Sequence, residues 1–281
     1  YYNQRSASGE HTVANLRRRV PFIPFAIRNH TGCPLWFATV TTTPTRIILS
    51  SESQRKASHF HVSEWRQVHP EGELSFLIEE REKIRHKHTH ELKIHQVVVK
   101  VAGWREVDPV SVDKVGTYFR QAKPEIDNTS GIFQEVPPAR VVFDVSLEGS
   151  AKKVITVRSA LMVHNCLEDP VDIKLEDTAP GVVREVGMMR IQPQSKQAVP
   201  LPNVMCKLQV RPVGWSLNWA NKPIRWQHVL RPGELNNSMM HCSTPGGDQD
   251  LASYRFCVSV YRQKYPEDFA TSKISSVSQA P

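Results

Sequence analysis

The chain has 281 residues, 40% of them apolar and 23% charged, and a formal charge of 36 minus 28, or +8. That length holds either one large all-β unit or two domains of ordinary size, and no apolar run approaches the roughly 18 residues that span a bilayer. The basic excess favours anionic partners in general, whether lipid headgroups, nucleic acid or an acidic protein, without choosing among them.

Five cysteines, at positions 33, 166, 206, 242 and 257, are odd in number, far apart and free of any C-x-x-C pair. Such usage predicts neither a disulfide framework nor a zinc knuckle and fits a reducing, cytoplasmic setting. The first residues lack the charged, apolar and small-residue regions of a signal peptide. Three N-x-S/T triplets, at Asn29, Asn128 and Asn236, are accordingly read as unused.

In chain order, residues 1–20 are polar and end in Arg17-Arg18-Arg19, which reads as a linker or the tail of something upstream. From Phe22 the pattern turns to strands, with Phe25 and Ile27 leading to the turn cluster Asn29-His30-Thr31-Gly32-Cys33-Pro34 before Leu35-Trp36-Phe37. Residues 64–80 alternate strand, turn and strand around Pro70-Glu71-Gly72. Residues 79–93 are charge-rich and carry His86, His88 and His90, with His95 just beyond. Histidines at spacing two share one strand face, so a zinc or copper site is one reading. A solvated basic hairpin is the other, since no acidic or cysteine ligand is placed to complete the set.

The run from Ala139 to Leu175 organises the rest. Val141, Phe143, Val145 and Leu147 alternate with more polar residues, Glu148-Gly149-Ser150-Ala151 reads as a turn, and Lys152 to Val157 returns. Two further runs follow, ending in Val171, Ile173 and Leu175. Beyond them, residues 206–210 and 254–261 read as strands, residues 231–250 as a polar loop, and residues 273–277 as a partner for the last strand.

The two halves resemble each other. Phe25 to Asn29 with Pro34 to Phe37 matches Leu161 to Asn165 with Pro170 to Ile173, each 136 residues on. Val68-His-Pro70 matches Ile191-Gln-Pro193, Gly103-Trp104 matches Gly214-Trp215, and Val141 to Val145 matches Phe256 to Val260. Matching strands joined by loops of different length are the mark of a duplicated β module. The expected fold is therefore all-β, a tandem of two antiparallel β-sandwich repeats, with a linker over 1–20 and modules over 21–147 and 148–281. Asn29 and Asn165, at the ends of equivalent apolar strands, are read as turn-capping residues whose loss would strand buried backbone groups.

Trp104 with the string Val110 to Arg120, then Val142 to Ser159 and Val163-His-Asn165, resembles the adaptor-binding region of the vacuolar protein sorting thirteen family of bridge-like lipid-transfer proteins. The resemblance covers about 21–277. It implies a tandem array of β-rich repeats, each with a signature asparagine, here Asn29 and Asn165. It further implies a non-catalytic module that binds organelle-specific adaptor proteins, with proline-containing P-x-P segments as the docking element. The lipid-transfer chain to which it belongs would then sit peripherally at organelle membranes and contact sites. A P-x-P peptide is extended and loses few conformers on binding, and the six tryptophans are aromatic candidates for it, though most are expected in the core.

The competing classes are weaker. No G-x-S-x-G, phosphate-cradling glycine loop, dinucleotide fingerprint or H-E-x-x-H is present, so neither catalysis nor a cofactor is expected. Direct binding of phosphoinositide headgroups is the main alternative, carried by Arg17-Arg18-Arg19 and Lys152-Lys153. A nucleic-acid partner is not expected, for want of any recognised signature.

Overall fold

The computed structural model describes residues 22–43, 59–78, 95–125, 138–149, 151–177, 185–224, 226–229, 231–246 and 254–263. Among them the chain is all-β, with two short 3-10 turns at Leu201–Asn203 and Trp226–His228 as its only helical elements. None is long and apolar enough to cross a membrane. His86, His88, His90, Arg17-Arg18-Arg19, Asn128 and residues 273–277 lie outside the described residues.

The first half forms two sheets. One runs in the order β5 (Glu73–Phe76), β1 (Phe25–His30), β10 (Lys152–Ser159), β9 (Ala139–Glu148) and β8 (Gly116–Ala122). The other runs β3 (His59–Val62), β2 (Leu35–Thr43), β6 (His95–Val101) and β7 (Val110–Ser111), with β4 (Arg66–Val68) also on β2. Alternate residues of both sheets point into one core: Ile27, Phe143, Val145, Ile155 and Val157 from the first, Leu35, Phe37, Val97 and Val99 from the second. That is the period-2 arrangement of a sandwich, in which a strand buries every other side chain.

The second half repeats this order in pieces. β11 (Met162–His164) pairs with β14 (Lys196–Ala198). β12 (Val171–Glu176) lies between β13 (Glu185–Ile191) and β15 (Lys207–Pro212). β16 (Leu235–Cys242) pairs with β17 (Tyr254–Tyr261). The registers match residue for residue. Leu35 stands opposite Val68 and Val101, and its counterpart Val171 opposite Ile191 and Pro212. Ala26 stands opposite Ser75, and Met162 opposite Ala198. Gly116 stands opposite Val145, and Asn236 opposite Val260. A second core collects Val171, Ile173, Leu175, Leu208, Met240 and Phe256.

Three features depart from the sequence reading. Residues 152–159, expected to open the second module, pair with β9 and, in parallel, with β1, so the first sheet runs on to Ser159. Parallel neighbours need a long crossover, and here Phe25 meets Lys153 after more than a hundred residues, a pairing without local signature. The stretch expected to be a polar loop over 231–250 contains β16, whose Met240 and Cys242 are buried while Asn236 and Asn237 face out. Leu201, in the second half by position, packs in the first core. Its amide donates to the Thr31 carbonyl at 2.7 Å. The hydroxyl of Ser159 donates to the Val199 carbonyl. Gly32, at φ +76°, lies so close to Pro200 that an added Cβ would stand 2.6 Å from the proline Cβ. The halves are therefore interlocked.

Candidate functional site

Each half carries a buried asparagine at the end of its first strand, Asn29 one residue before the last of β1 and Asn165 one residue past β11, and the two side chains do the same work. Asn29 is 0% exposed. Its amide nitrogen donates to the carbonyls of Cys33 at 2.7 Å and Val68 at 2.9 Å, and its amide oxygen accepts from the Thr31 N–H at 3.0 Å and hydroxyl at 2.7 Å. Asn165 is 3% exposed. Its nitrogen donates to the carbonyl of Asp169 at 2.8 Å and to those of Ile191 and Gln192, both at 3.2 Å. Its oxygen accepts from the Leu167 N–H at 3.0 Å.

The backbones repeat as well. The Asn29 N–H donates to Gly72 and the Asn165 N–H to Ser195, and the facing turns carry Glu71 at φ 58° and Gln194 at φ 55°. Each asparagine thus ties its own turn to the turn before the fifth-strand position of its half. Only a primary amide offers two donors and an acceptor in this space; aspartate lacks the donors and leucine lacks both. A side chain so engaged has no group left to present to a partner or, at Asn29, to a glycan. The second cradle lacks the hydroxyl that Thr31 supplies to the first, because Leu167 stands in its place.

Around the cradles the surfaces differ. Trp104 is 6% exposed and bridges to Pro124, with the Arg105 and Glu125 amides donating across to Lys123 and Gly103. Its counterpart Trp215 is 58% exposed. The Trp215 indole N–H donates to Asp169 at 3.2 Å, and the Tyr254 hydroxyl donates to the same oxygen at 3.1 Å. Burial, and then that bond to Asp169, pushes the Tyr254 phenol above its usual range. The Trp215 and Tyr254 rings lie 6.2 Å apart beside the Asn165 turn. A shallow hollow of about 330 Å³ lies between Trp36, Trp65 and Lys100, and one of about 280 Å³ is lined by residues including Ile224, Met240 and Val260.

Several charged groups among the described residues are engaged within the fold. Lys152 donates to Glu73 at 2.8 Å, and Lys153 donates to the Asp113 carbonyl. The lysine pair read as an anion site therefore braces the first sheet. Arg28 joins Glu73 at 2.7 Å and Glu148 at 3.1 Å. Lys152 first, and Arg28 second, hold the Glu73 carboxyl below the usual carboxylate range. In the second half the buried Asp172 accepts from Arg190 at 2.8 Å and Arg211 at 3.3 Å, and Arg190 is the larger cause of its lowered pKa. Arg211 and Lys174 flank the Trp219 ring at 4.4 and 4.9 Å. His95, the one described member of the histidine run, meets Asp113 at 2.7 Å.

Sequence comparison places this arrangement. The family described as vacuolar-sorting associated protein 13, adaptor binding domain, matches residues 77–277. The chain belongs to that family. Over 291 aligned residues it is 43% identical to the intermembrane lipid transfer protein VPS13D of Homo sapiens, covering 94% of this chain and 6% of that protein. Over 198 residues it is 36% identical to Vps13D of Drosophila melanogaster, covering 70% of the chain and 5% of the relative. The chain thus spans about a twentieth of the length of these lipid-transfer proteins. Within this adaptor-binding region, the cradles of Asn29 and Asn165 are the most regular feature. The sequence singles out both asparagines as turn-capping residues, and their hydrogen bonds are those of turn caps. Sequence reasoning missed their supporting shell, of which Pro70-Glu71-Gly72 and Pro193-Gln194-Ser195 were the available signal.

Proposed function

We propose that this chain is a non-catalytic docking module that brings a lipid-transfer protein to organelle membranes and contact sites by binding adaptor proteins. The match of its residues 77–277 to an adaptor-binding domain is the observation that carries this reading. The chain divides into two β-sandwich modules, the boundary falling after Ser159 rather than after residue 147, because β10 belongs to the first sheet. Asn29 and Asn165 serve binding indirectly, by holding the turns that shape each module.

The partner is a protein carrying an extended proline-containing P-x-P segment. Exposed Trp215 and Trp65 are aromatic surface of the kind such a segment stacks on. A short peptide buries little area and loses entropy on ordering, so its affinity is on the order of micromolar; several copies on one membrane raise the effective affinity. Direct phosphoinositide binding draws less support, since Lys152 and Lys153 are engaged inside the fold.

A pull-down with P-x-P peptides beside liposome flotation tests the choice. Capture by peptide with no flotation is the expected result. Flotation that depends on phosphoinositide, with no peptide capture, would replace the adaptor reading with the lipid one.

A further inference from the structure

Trp215 and Tyr254 form an open aromatic corner on the second half. Their rings lie 6.2 Å apart at 55° to each other, and one oxygen of Asp169 holds both, accepting from the indole N–H at 3.2 Å and the phenol hydroxyl at 3.1 Å. Glu168 is exposed one residue before, and its charge adds to the upward push on the Tyr254 phenol, so it lies on the same side. The other oxygen of Asp169 and both oxygens of Glu168 accept no hydrogen bond among the described residues. The corner thus joins aromatic faces to spare carboxylate oxygens, with the rings fixed in advance, which lowers the entropy lost on binding.

The first half has no such corner. By the spacing that aligns the asparagines, Gly32 and Cys33 stand where the second half has Glu168 and Asp169, and Ala139 stands for Tyr254. Trp104, the counterpart of Trp215, is buried. What a tryptophan and an aspartate take together is visible a few residues further along the chain from each. Arg211 lies over the Trp219 ring at 4.4 Å and donates to Asp172 at 3.3 Å. There the fold supplies the cation itself. A guanidinium suits such a pair because its flat face stacks on an indole while its edge donates to a carboxylate. At Trp215 and Asp169 the same combination, with Glu168 added, stands without a cation among the described residues.

We propose that Trp215, Tyr254, Asp169 and Glu168 receive an arginine side chain from a partner protein. The chain carries +8 overall, so two carboxylates beside an exposed indole are a local reversal of sign that selects a basic residue. A choline headgroup is also a cation, but a quaternary ammonium donates no hydrogen bond and would leave the carboxylate oxygens unmatched. That the partner is a protein rests on the docking reading above, to which the corner adds a basic residue in or beside the docked segment.

Nuclear magnetic resonance on the intact, isotope-labelled chain tests it, with the capped peptide Gly-Gly-Arg-Gly-Gly as probe. The Trp215 indole N–H signal, identified by its loss in Trp215→Phe, should shift saturably with a Kd on the order of 10 mM. Citrulline in place of arginine keeps the shape without the charge and should bind about tenfold more weakly or worse. Glu168→Gln, at an exposed position, should weaken arginine binding about fivefold and leave urea unfolding unchanged. A silent Trp215 signal, or an equal response to citrulline, overturns the proposal. Loss of that signal into phosphatidylcholine vesicles, without a response to arginine, also overturns it and assigns the corner to a lipid headgroup. Capture of an arginine-free P-x-P peptide while Trp215 stays silent to arginine strikes the corner alone and leaves adaptor docking standing.

Discussion

The first half closes its sheet around Asn29, and the second holds the same asparagine cradle on a less complete scaffold. Asn29 is capped by the Thr31 hydroxyl, lies in a sheet of five strands and has a buried Trp104 in its half. Asn165 has Leu167 for Thr31, a two-stranded β11 and β14, and an open Trp215. The comparison teaches that the amide network is the conserved unit of geometry, while the shell around it varies. In a repeat, what is buried in one copy is thereby released as surface in the other.

The largest way to break the comparison is at the seam. Leu201→Ala removes a side chain that belongs by sequence to the second half and by packing to the first. It should cost about 2 to 5 kcal/mol in chemical denaturation, with near-ultraviolet changes from the first half's aromatics. A loss confined to the second half would mean the two are not interlocked through this residue.

Next come the cradles themselves. Asn29→Ala and Asn165→Ser should each cost about 1 to 3 kcal/mol, because buried carbonyls lose their donors. Asn29 belongs at the upper end, having the fuller shell. Weakened adaptor capture should follow the loss of stability and be restored at lower temperature. An Asn165→Ser protein that melts like the parent and yet fails to bind would make the side chain a direct contact.

A pH profile sharpens the difference in charge. Asp172 has its folded pKa depressed by Arg190 and Arg211. Its stabilisation is therefore fully present above the unfolded value of about 3.9 and is lost as pH falls through the lower folded value. Asp172→Asn should flatten that acid limb and lower stability at neutral pH, leaving the limb that Glu73 contributes to the first half. An unchanged acid limb would show that the pair does not couple to folding.

The smallest effects are chemical. Cys242 is buried, and burial pushes its thiol up to about 11, while Cys166 and Cys257 are exposed. Labelling of the native chain at pH 8 should reach Cys166 and Cys257 first and Cys242 only on unfolding. Rapid native labelling at Cys242 would contradict its place in the second core.

Much of this was readable before any coordinates. The alternation of Val141, Phe143 and Val145 announced β9, and the shared spacing of Asn29 and Asn165 announced the repeat and its two polar pivots. What local pattern could not carry was pairing across distance. The parallel contact of β1 with β10 joins residues with no common turn, so nothing local ties residues 152–159 to the first sheet. Trp104 and Trp215 sit in the same sequence context after glycine, yet Trp104 packs in the first core and bridges through its backbone to Pro124 while Trp215 is exposed. Lys152-Lys153 read as a free basic cluster because their partners, Glu73 and Asp113, lie tens of residues away.

The central claim is that this chain is an adaptor-docking module, and its most direct measurement is the cellular distribution of the chain fused to a fluorescent protein. With the adaptor present, the fusion is predicted to concentrate on one organelle, and to become diffuse when the adaptor is removed. Recruitment that persists without the adaptor and vanishes on phosphoinositide depletion would contradict the account.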